Sequence, residues 1–176
     1  MQEMSEVSIP GVGHFAFEEV WDEYTSADVV VPGFGGLEGH FYMAGNVLDA
    51  AGLDRIGAAI TAFLSPRVDF IAHATPYVFQ QYQDWRTIGQ EEGWGEYLPS
   101  LSQPELVWDL VQIGNEFQIV WDETFGGEVY IKVACSCEWD VEDGLILVFK
   151  GGSSLCTVGF GADALLNKDG SIYQPL

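Results

Sequence analysis

The last third of the chain alternates between apolar and polar residues, and this pattern strongly restricts the fold. From Val129 to Trp139 every second residue is apolar or a cysteine, which is the period of a strand with one buried face. Shorter runs of the same kind occupy Glu116–Trp121, Leu145–Phe149 and Leu155–Val158. Glycines lie between successive runs, so the sequence predicts four antiparallel strands joined as a meander.

The segment before these strands has the period of helices. Apolar residues recur at three- and four-residue steps through Leu53–Leu64, which predicts one amphipathic helix. Ser65-Pro66 is typical of a helix start, and Pro76 is expected to kink or break the second helix. Residues 87–103, rich in glycine, glutamate and aromatic rings, are predicted to form a loop.

A short helix is predicted next, because Ser102 and Glu105 have the spacing of a capping box around an early proline. Apolar runs between residues 7 and 43 predict N-terminal strands. The predicted fold class is therefore α+β, with N-terminal strands and helices packed on a C-terminal antiparallel four-stranded meander. The length of the chain suits a single acidic domain spanning residues 1–176.

Acidic residues outnumber basic residues by 27 to 6, which gives a formal net charge of −21. Charged residues are only 19% of the chain, so the imbalance comes mainly from the scarcity of lysine and arginine. Such a field repels nucleic acid and anionic membrane surfaces, and it attracts a basic protein or a divalent cation. Solubility alone explains the acidity equally well, because net charge also governs colloidal behaviour.

The cysteine count and the N-terminus bear on the compartment. An odd number of cysteines, with Cys135 and Cys137 on one strand face and Cys156 beyond, is a poor disulfide framework and favours reduced thiols. The N-terminus lacks the basic and apolar regions of a signal peptide. No apolar run approaches the ~20 residues that a membrane helix needs. We therefore expect a cytoplasmic protein that is not attached to a membrane.

The same cysteines raise the question of a metal site. Cys135 and Cys137 point the same way from one strand, and Cys156 lies on a predicted neighbour. Structural zinc normally has four ligands and no fourth is evident, so packing of the thiols in the core is favoured. No serine or cysteine has a recognisable base beside it, and no phosphate-binding glycine motif is present. We expect no catalytic residue, no cofactor and no metal.

An acidic turn, residues 138–144, follows the longest predicted strand. Its position between strands and its spacing do not fit an EF-hand calcium loop. Residues 130–152 resemble the C-terminal signature of a bacterial family called domain of unknown function 6985, whose usual pattern is Trp-Asp-x-Glu-His-Gly-Leu. The chain matches that pattern from Trp139 to Leu145 except at Asp143, where the family usually has histidine.

The resemblance extends over residues 15–165, with an apolar helix, an aromatic-rich segment and a short helix in the same order. It implies no established activity. Members of the family resemble small immunity-type proteins in size, acidity and lack of a catalytic motif, which is an analogy rather than a shared site.

Aromatic and acidic residues are interleaved between Trp85 and Tyr97, a composition typical of a recognition surface. The same rings could instead cap the core beneath a long loop. We predict that a partner binds at this segment, helped by the acidic turn. The predicted residues are Trp85, Glu91, Glu92, Trp94, Glu96, Tyr97, Glu138, Asp140, Glu142 and Asp143.

Two functions of different classes follow from the sequence. The first is an acidic, non-catalytic binding protein of the immunity type, which occludes a basic protein partner. The second is an enzyme or a metal-dependent domain whose site has no recognised motif. A toxin gene beside the gene for this chain would favour the first, and stoichiometric metal in the purified protein would favour the second.

Overall fold

The computed structural model describes residues 6–45, 49–94, 97–122, 127–161, 165–167 and 169–175. The α-helices in these residues are α1 (Ala50–Phe63) and α2 (Phe70–Glu92), and shorter 3₁₀ helices lie at Pro32–Phe34 and Pro104–Leu110. The strands are β1 (Glu6–Ile9), β2 (Gly13–Glu18), β3 (Glu23–Ser26), β4 (Val29–Val31), β5 (Leu37–Ala44), β6 (Val111–Asp122), β7 (Glu128–Cys137), β8 (Asp140–Lys150) and β9 (Ser154–Gly159). This mixture confirms the predicted α+β class.

The strands of the described residues form one sheet in the order β1-β2-β3-β5-β6-β7-β8-β9, and β4 also pairs with β5. The consecutive order of β6 to β9 confirms the predicted C-terminal meander. β5 and β6 run parallel, with His40 opposite Glu116 and Met43 opposite Ile119. The sequence did not predict this pair. A parallel pair needs a crossover connection, which the helical segment between the two strands provides.

The chain divides into two compact units, and β6, β7, β8 and β9 contribute residues to both. Unit 1 consists of Met1–Asp69, Asn115–Val133 and Phe149–Ser154. Unit 2 consists of Phe70–Gly114, Ala134–Val148 and Leu155–Leu176.

Five phenylalanine rings form the centre of unit 1. The ring of Phe63, at the end of α1, lies with its centroid 5.7 Å from that of Phe41 and 5.4 Å from that of Phe117. Its distances to the rings of Phe149 and Phe34 are 5.7 Å and 6.0 Å. All five rings are buried, and their tilted and edge-on geometry is the favourable one for aromatic pairs.

The long helix α2 organises unit 2. Its buried side includes Phe70, Val78 and Tyr82. Trp108, in the 3₁₀ helix, donates its indole N–H to the hydroxyl of Thr75 on α2 at 2.8 Å. This bond gives a half-buried indole the partner that it would otherwise lack, and it fixes the 3₁₀ helix against α2.

The predicted first helix agrees with α1, but the predicted start of the second helix is wrong. Asp49 caps α1 by accepting the backbone N–H of Gly52 at 2.8 Å. α2 begins at Phe70, after Ser65-Pro66 rather than at it. The hydroxyl of Ser65 instead accepts a backbone N–H two residues later at 3.4 Å, which is the local bond of a serine turn.

The predicted loop at residues 87–103 is also wrong over its first part, because α2 continues to Glu92. The helix runs through Pro76 without ending there. Proline is costly inside a helix, but the buried side of α2 extends on both sides of it, and such tertiary packing supplies most of the stability of a helix. At the 3₁₀ helix the N-cap residue is Gln103 and makes no side-chain cap bond, so the predicted capping box is absent.

Candidate functional site

The aromatic and acidic residues predicted as a recognition surface begin on the last turns of α2. Trp85 and Trp94 are half-buried, and their ring centroids are 6.0 Å apart. Trp94 donates its indole N–H to the carboxylate of Glu92 at 3.1 Å, so a carboxylate and two rings form one local group. Glu91 and Glu92 are exposed. In this arrangement acidic groups lie directly beside aromatic rings.

Tyr97 is the most exposed ring of this segment, with 87% of its surface accessible. Tyr97 therefore does not cap the core, whereas the buried parts of the Trp85 and Trp94 rings do. Glu96 lies outside the described residues.

The predicted turn at residues 138–144 is wrong in its extent, because β8 begins at Asp140 and only Glu138 and Trp139 form the turn itself. Over residues 138–144 the acidic turn has one buried carboxylate and several exposed ones. Asp140 is only 8% exposed, and its Oδ1 accepts the backbone N–H of Asp143 at 3.0 Å. Glu138, Glu142 and Asp143 face solvent. Asp140 therefore fixes the shape of the turn, as aspartate commonly does through a bond to its own backbone, while the other three carboxylates are available to a partner.

Trp139 joins the acidic turn to α2. Its ring is 4% exposed and lies edge-on to Tyr82, with centroids 5.4 Å apart. Its indole N–H donates to the side-chain oxygen of Gln81 at 3.3 Å. Gln81 lies one helical turn before Trp85. Both parts of the predicted surface thus belong to unit 2 and are attached to the same stretch of α2.

The electrostatics of this region are one-sided. Arg86 is the only lysine or arginine among the described residues of unit 2, and it is half-buried. Burial raises the pKa of the Tyr82 hydroxyl, while Arg86 lowers it and Glu138 raises it. Arg86 and Glu138 are therefore both near Tyr82. The exposed charges around them are carboxylates, so this surface presents a negative potential to solvent.

The three cysteines are thiols placed in the interior and at its edge. Burial raises the pKa of Cys135 to about 12 and that of Cys137 to about 11. The Cys137 thiol donates to the carbonyl of Asp140 at 3.6 Å, and the Cys156 thiol donates to the carbonyl of Val148 at 3.3 Å. Buried thiols that donate to backbone carbonyls are common in protein cores. No group of three potential metal ligands occurs in the described residues.

A second set of carboxylates, missed by the sequence analysis, lies in unit 1. Glu18 on β2 stands directly opposite Glu23 on β3, and Glu116 on β6 stands opposite His40 on β5. Burial first, and then Glu18 and Glu116, raise the pKa of Glu23 above its ordinary value of 4.5, while His40 lowers it. Glu18, directly opposite, and Glu116, two strands away, thus repel the Glu23 carboxylate, which destabilises the sheet.

We expect Glu23→Gln to stabilise the protein at neutral pH by about 0.5 kcal/mol, the scale of a cross-strand charge pair. The folded-state pKa of Glu23 is raised, so ionisation opposes folding and the carboxyl group becomes less unfavourable as the pH falls through that pKa. The advantage of the variant should therefore shrink as the pH falls from neutral toward 4.5. Urea unfolding of the wild type and the variant, at neutral pH and near pH 4.5, measures this difference in the free energy of unfolding.

Glu19→Gln is the matched control, because Glu19 is exposed in the turn beside β2. Its free energy of unfolding should change by only a few tenths of a kcal/mol. A variant at Glu23 that is no more stable than the wild type at neutral pH would contradict the proposed repulsion.

This set of carboxylates depends on the register between strands, which was not assigned from the sequence. Glu18 and Glu23 flank a short turn in which Asp22 has a left-handed backbone (φ 52°), so a hairpin assignment at residues 13–26 would have placed them opposite each other. The partner Glu116 could not have been found in this way, because it reaches the set through the unpredicted parallel pair of β5 and β6.

A family model described as "Domain of unknown function (DUF6985)" matches residues 11–165, a range that includes the acidic turn and the end of α2. No curated protein and no solved structure matches the chain. In the parts of the chain that the structure describes, no helix combines the length and the apolarity needed to cross a bilayer.

Proposed function

The chain belongs to the DUF6985 family, a domain of unknown function, and we propose that it is an acidic, non-catalytic protein that binds and occludes a basic protein partner. This role is that of an immunity-type protein. The proposal includes a cytoplasmic location, which suits three cysteines held as thiols.

One observation carries the proposal: the two acidic segments of unit 2 are attached to the same part of α2. The bond between Trp139 and Gln81 fixes the acidic turn one helical turn from Trp85, whose ring pairs with Trp94. Exposed carboxylates and partly exposed rings therefore lie on neighbouring segments of one unit, where a single basic surface could contact both.

Charge and aromatic rings contribute to binding in different ways. Exposed carboxylates speed the encounter with a basic protein and set its orientation, but each adds little affinity. Tryptophan and tyrosine at the centre of an interface often supply most of the binding energy. We therefore expect association to slow as salt rises, because the screening length falls to ~8 Å at physiological ionic strength. Trp94→Ala should instead raise the dissociation rate.

The test is affinity purification from the source lysate at low and high salt, with purified wild type and two variants that carry the same change of charge. The first variant neutralises the proposed surface, E91Q/E92Q/E142Q/D143N. The control neutralises four exposed acids of unit 1, E6Q/E19Q/E38Q/D54N. A basic protein should be retained at low salt by the wild type and the control and lost from the first variant.

A stoichiometric complex of that protein with the wild type should then be measurable by light scattering. Retention of the same partner by the first variant at high salt would show that the surface assignment is wrong. A captured partner that is neutral or acidic would overturn the proposed function itself.

A further inference from the structure

A groove of about 320 Å³ lies in unit 2 beside the acidic turn. It is formed by the end of the 3₁₀ helix, the first residues of β6, the last residues of β7, Glu138 after β7 and Val141 at the start of β8. Asp109 and Glu138 line it, and both are exposed. Leu110 and Val111 provide apolar surface between the polar residues.

The walls of this groove are tied to one another by hydrogen bonds. The backbone N–H of Glu138 donates to the carbonyl of Leu110 at 3.1 Å, which joins the β7 side to the β6 side. The Cys137 thiol donates to the carbonyl of Asp140 at 3.6 Å, and the Asp140 side chain accepts the backbone N–H of Asp143 further along β8. A groove fixed in this way loses little conformational entropy when a ligand enters it.

The chemistry of the lining is that of a site for a cationic side chain with an apolar neighbour. The residues that line the groove include two carboxylates and no lysine, arginine or histidine. Val141, the second residue of β8, is 87% exposed, although an aliphatic side chain gains nothing from contact with water. A carboxylate pair beside an exposed aliphatic side chain complements a lysine or arginine, whose stem is apolar and whose end is charged.

We propose that the groove seats one lysine or arginine side chain from an extended segment of the basic partner, with the adjacent apolar residue of that segment packed on Val141. Asp109 and Glu138 pair with the cation. This inference rests on the proposed function and names the docking point of the partner. It adds Asp109, which lies outside the sequence-predicted surface.

The test uses defined pentapeptides, blocked at both ends, and the whole protein observed by amide-resolved NMR. The sequences are Gly-Leu-Arg-Leu-Gly, its lysine counterpart, and a version with neutral citrulline in place of arginine. We expect the arginine and lysine peptides to shift the amides of Gln112, Ser136 and Val141. The citrulline peptide should bind about fivefold more weakly, the scale of two partly exposed ion pairs.

Two double variants test which carboxylates act. D109N/E138Q should raise the dissociation constant of the arginine peptide about fivefold. E105Q/D169N, which removes the same charge from exposed residues of unit 2 outside both the groove lining and the proposed surface, should change it less than twofold if the effect is local. Val141→Ser should weaken the leucine-flanked arginine peptide but not free arginine amide. Unchanged thermal midpoints confirm that the variants are folded.

The outcomes separate this inference from the proposed function. Equal binding of the arginine and citrulline peptides, or shifts located on α1, would overturn the groove assignment. Capture of a basic partner that D109N/E138Q retains as well as the wild type would also overturn it, while the proposed function would stand. If the peptides shift the amides of the groove but no basic partner is captured from the lysate, the preference of the groove for a cationic side chain stands and the proposed function is wrong.

Discussion

Trp139→Ala is expected to lower the free energy of unfolding by about 3–5 kcal/mol, the range for an aromatic side chain deleted from a core. Trp139 is 4% exposed and lies edge-on to Tyr82, so its removal leaves a cavity between the acidic turn and α2. It also removes the donor to Gln81, which is fully buried and whose Nε2 already has no hydrogen-bond partner. A buried amide with both ends unsatisfied adds to the loss.

Two further variants separate the packing of the ring from its hydrogen bond. Trp139→Phe keeps most of the ring and loses the N–H, so we expect a loss of about 1–2 kcal/mol. Trp21→Ala removes an indole that is 70% exposed and should change stability by about 0.5 kcal/mol or less. Guanidinium unfolding followed by circular dichroism measures all three. Equal stability of Trp139→Ala and the wild type would show that the turn is not anchored by this ring.

Gly152→Ala is expected to cost at least ~3 kcal/mol, because backbone strain and a steric clash combine at this position. Gly152 has a left-handed φ of 81°, which disfavours any residue with a Cβ atom. A Cβ atom here would also overlap the backbone carbonyl of Ala59 on α1. A helix backbone cannot move aside as a flexible side chain can, so the turn between β8 and β9 must shift away from α1 within unit 1.

The neighbouring glycine provides the control. Gly151 has a φ of 58° and no atom within 4 Å of a Cβ placed on it. Gly151→Ala therefore carries only the cost of the left-handed backbone, about 1–2 kcal/mol. The difference between the two free energies of unfolding measures the clash with α1. Two equal losses would mean that α1 does not approach Gly152 as closely as described.

The parts of the fold that follow from local periodicity could be predicted from the sequence. Alternation in β7 places Ile131, Val133 and Cys135 on one buried face, and the residues between them are the more exposed ones over most of the strand. The apolar stripe of α1 predicts that helix equally well. The pairing between β5 and β6 could not be predicted, since no local pattern records which distant strand lies next to another or in which direction it runs.

The candidate site divides in the same way. Composition alone drew attention to the segment around Trp94 and to the acidic turn. Burial of Asp140 could not be read from the sequence, because an acidic turn residue is usually solvated and only its bond to Asp143 explains its position. The hydrogen bond between Trp139 and Gln81 forms because α2 packs against Trp139, which no local pattern predicts. Asp109 lines the groove only because the 3₁₀ helix ends beside β7.

The parallel pairing of β5 with β6 also affects how a ribosome delivers this chain. β5 leaves the exit tunnel before α1, α2 and the 3₁₀ helix, and β6 follows all of them. Until residues 116–119 emerge, the backbone groups of residues 40–43 that will pair with them have no strand partner. An open strand edge beside Phe41 and Met43, both buried in the finished fold, favours association with other nascent chains. We therefore expect a chain arrested before β6 to bind chaperones or aggregate, and a chain released after Ile119 to do so far less.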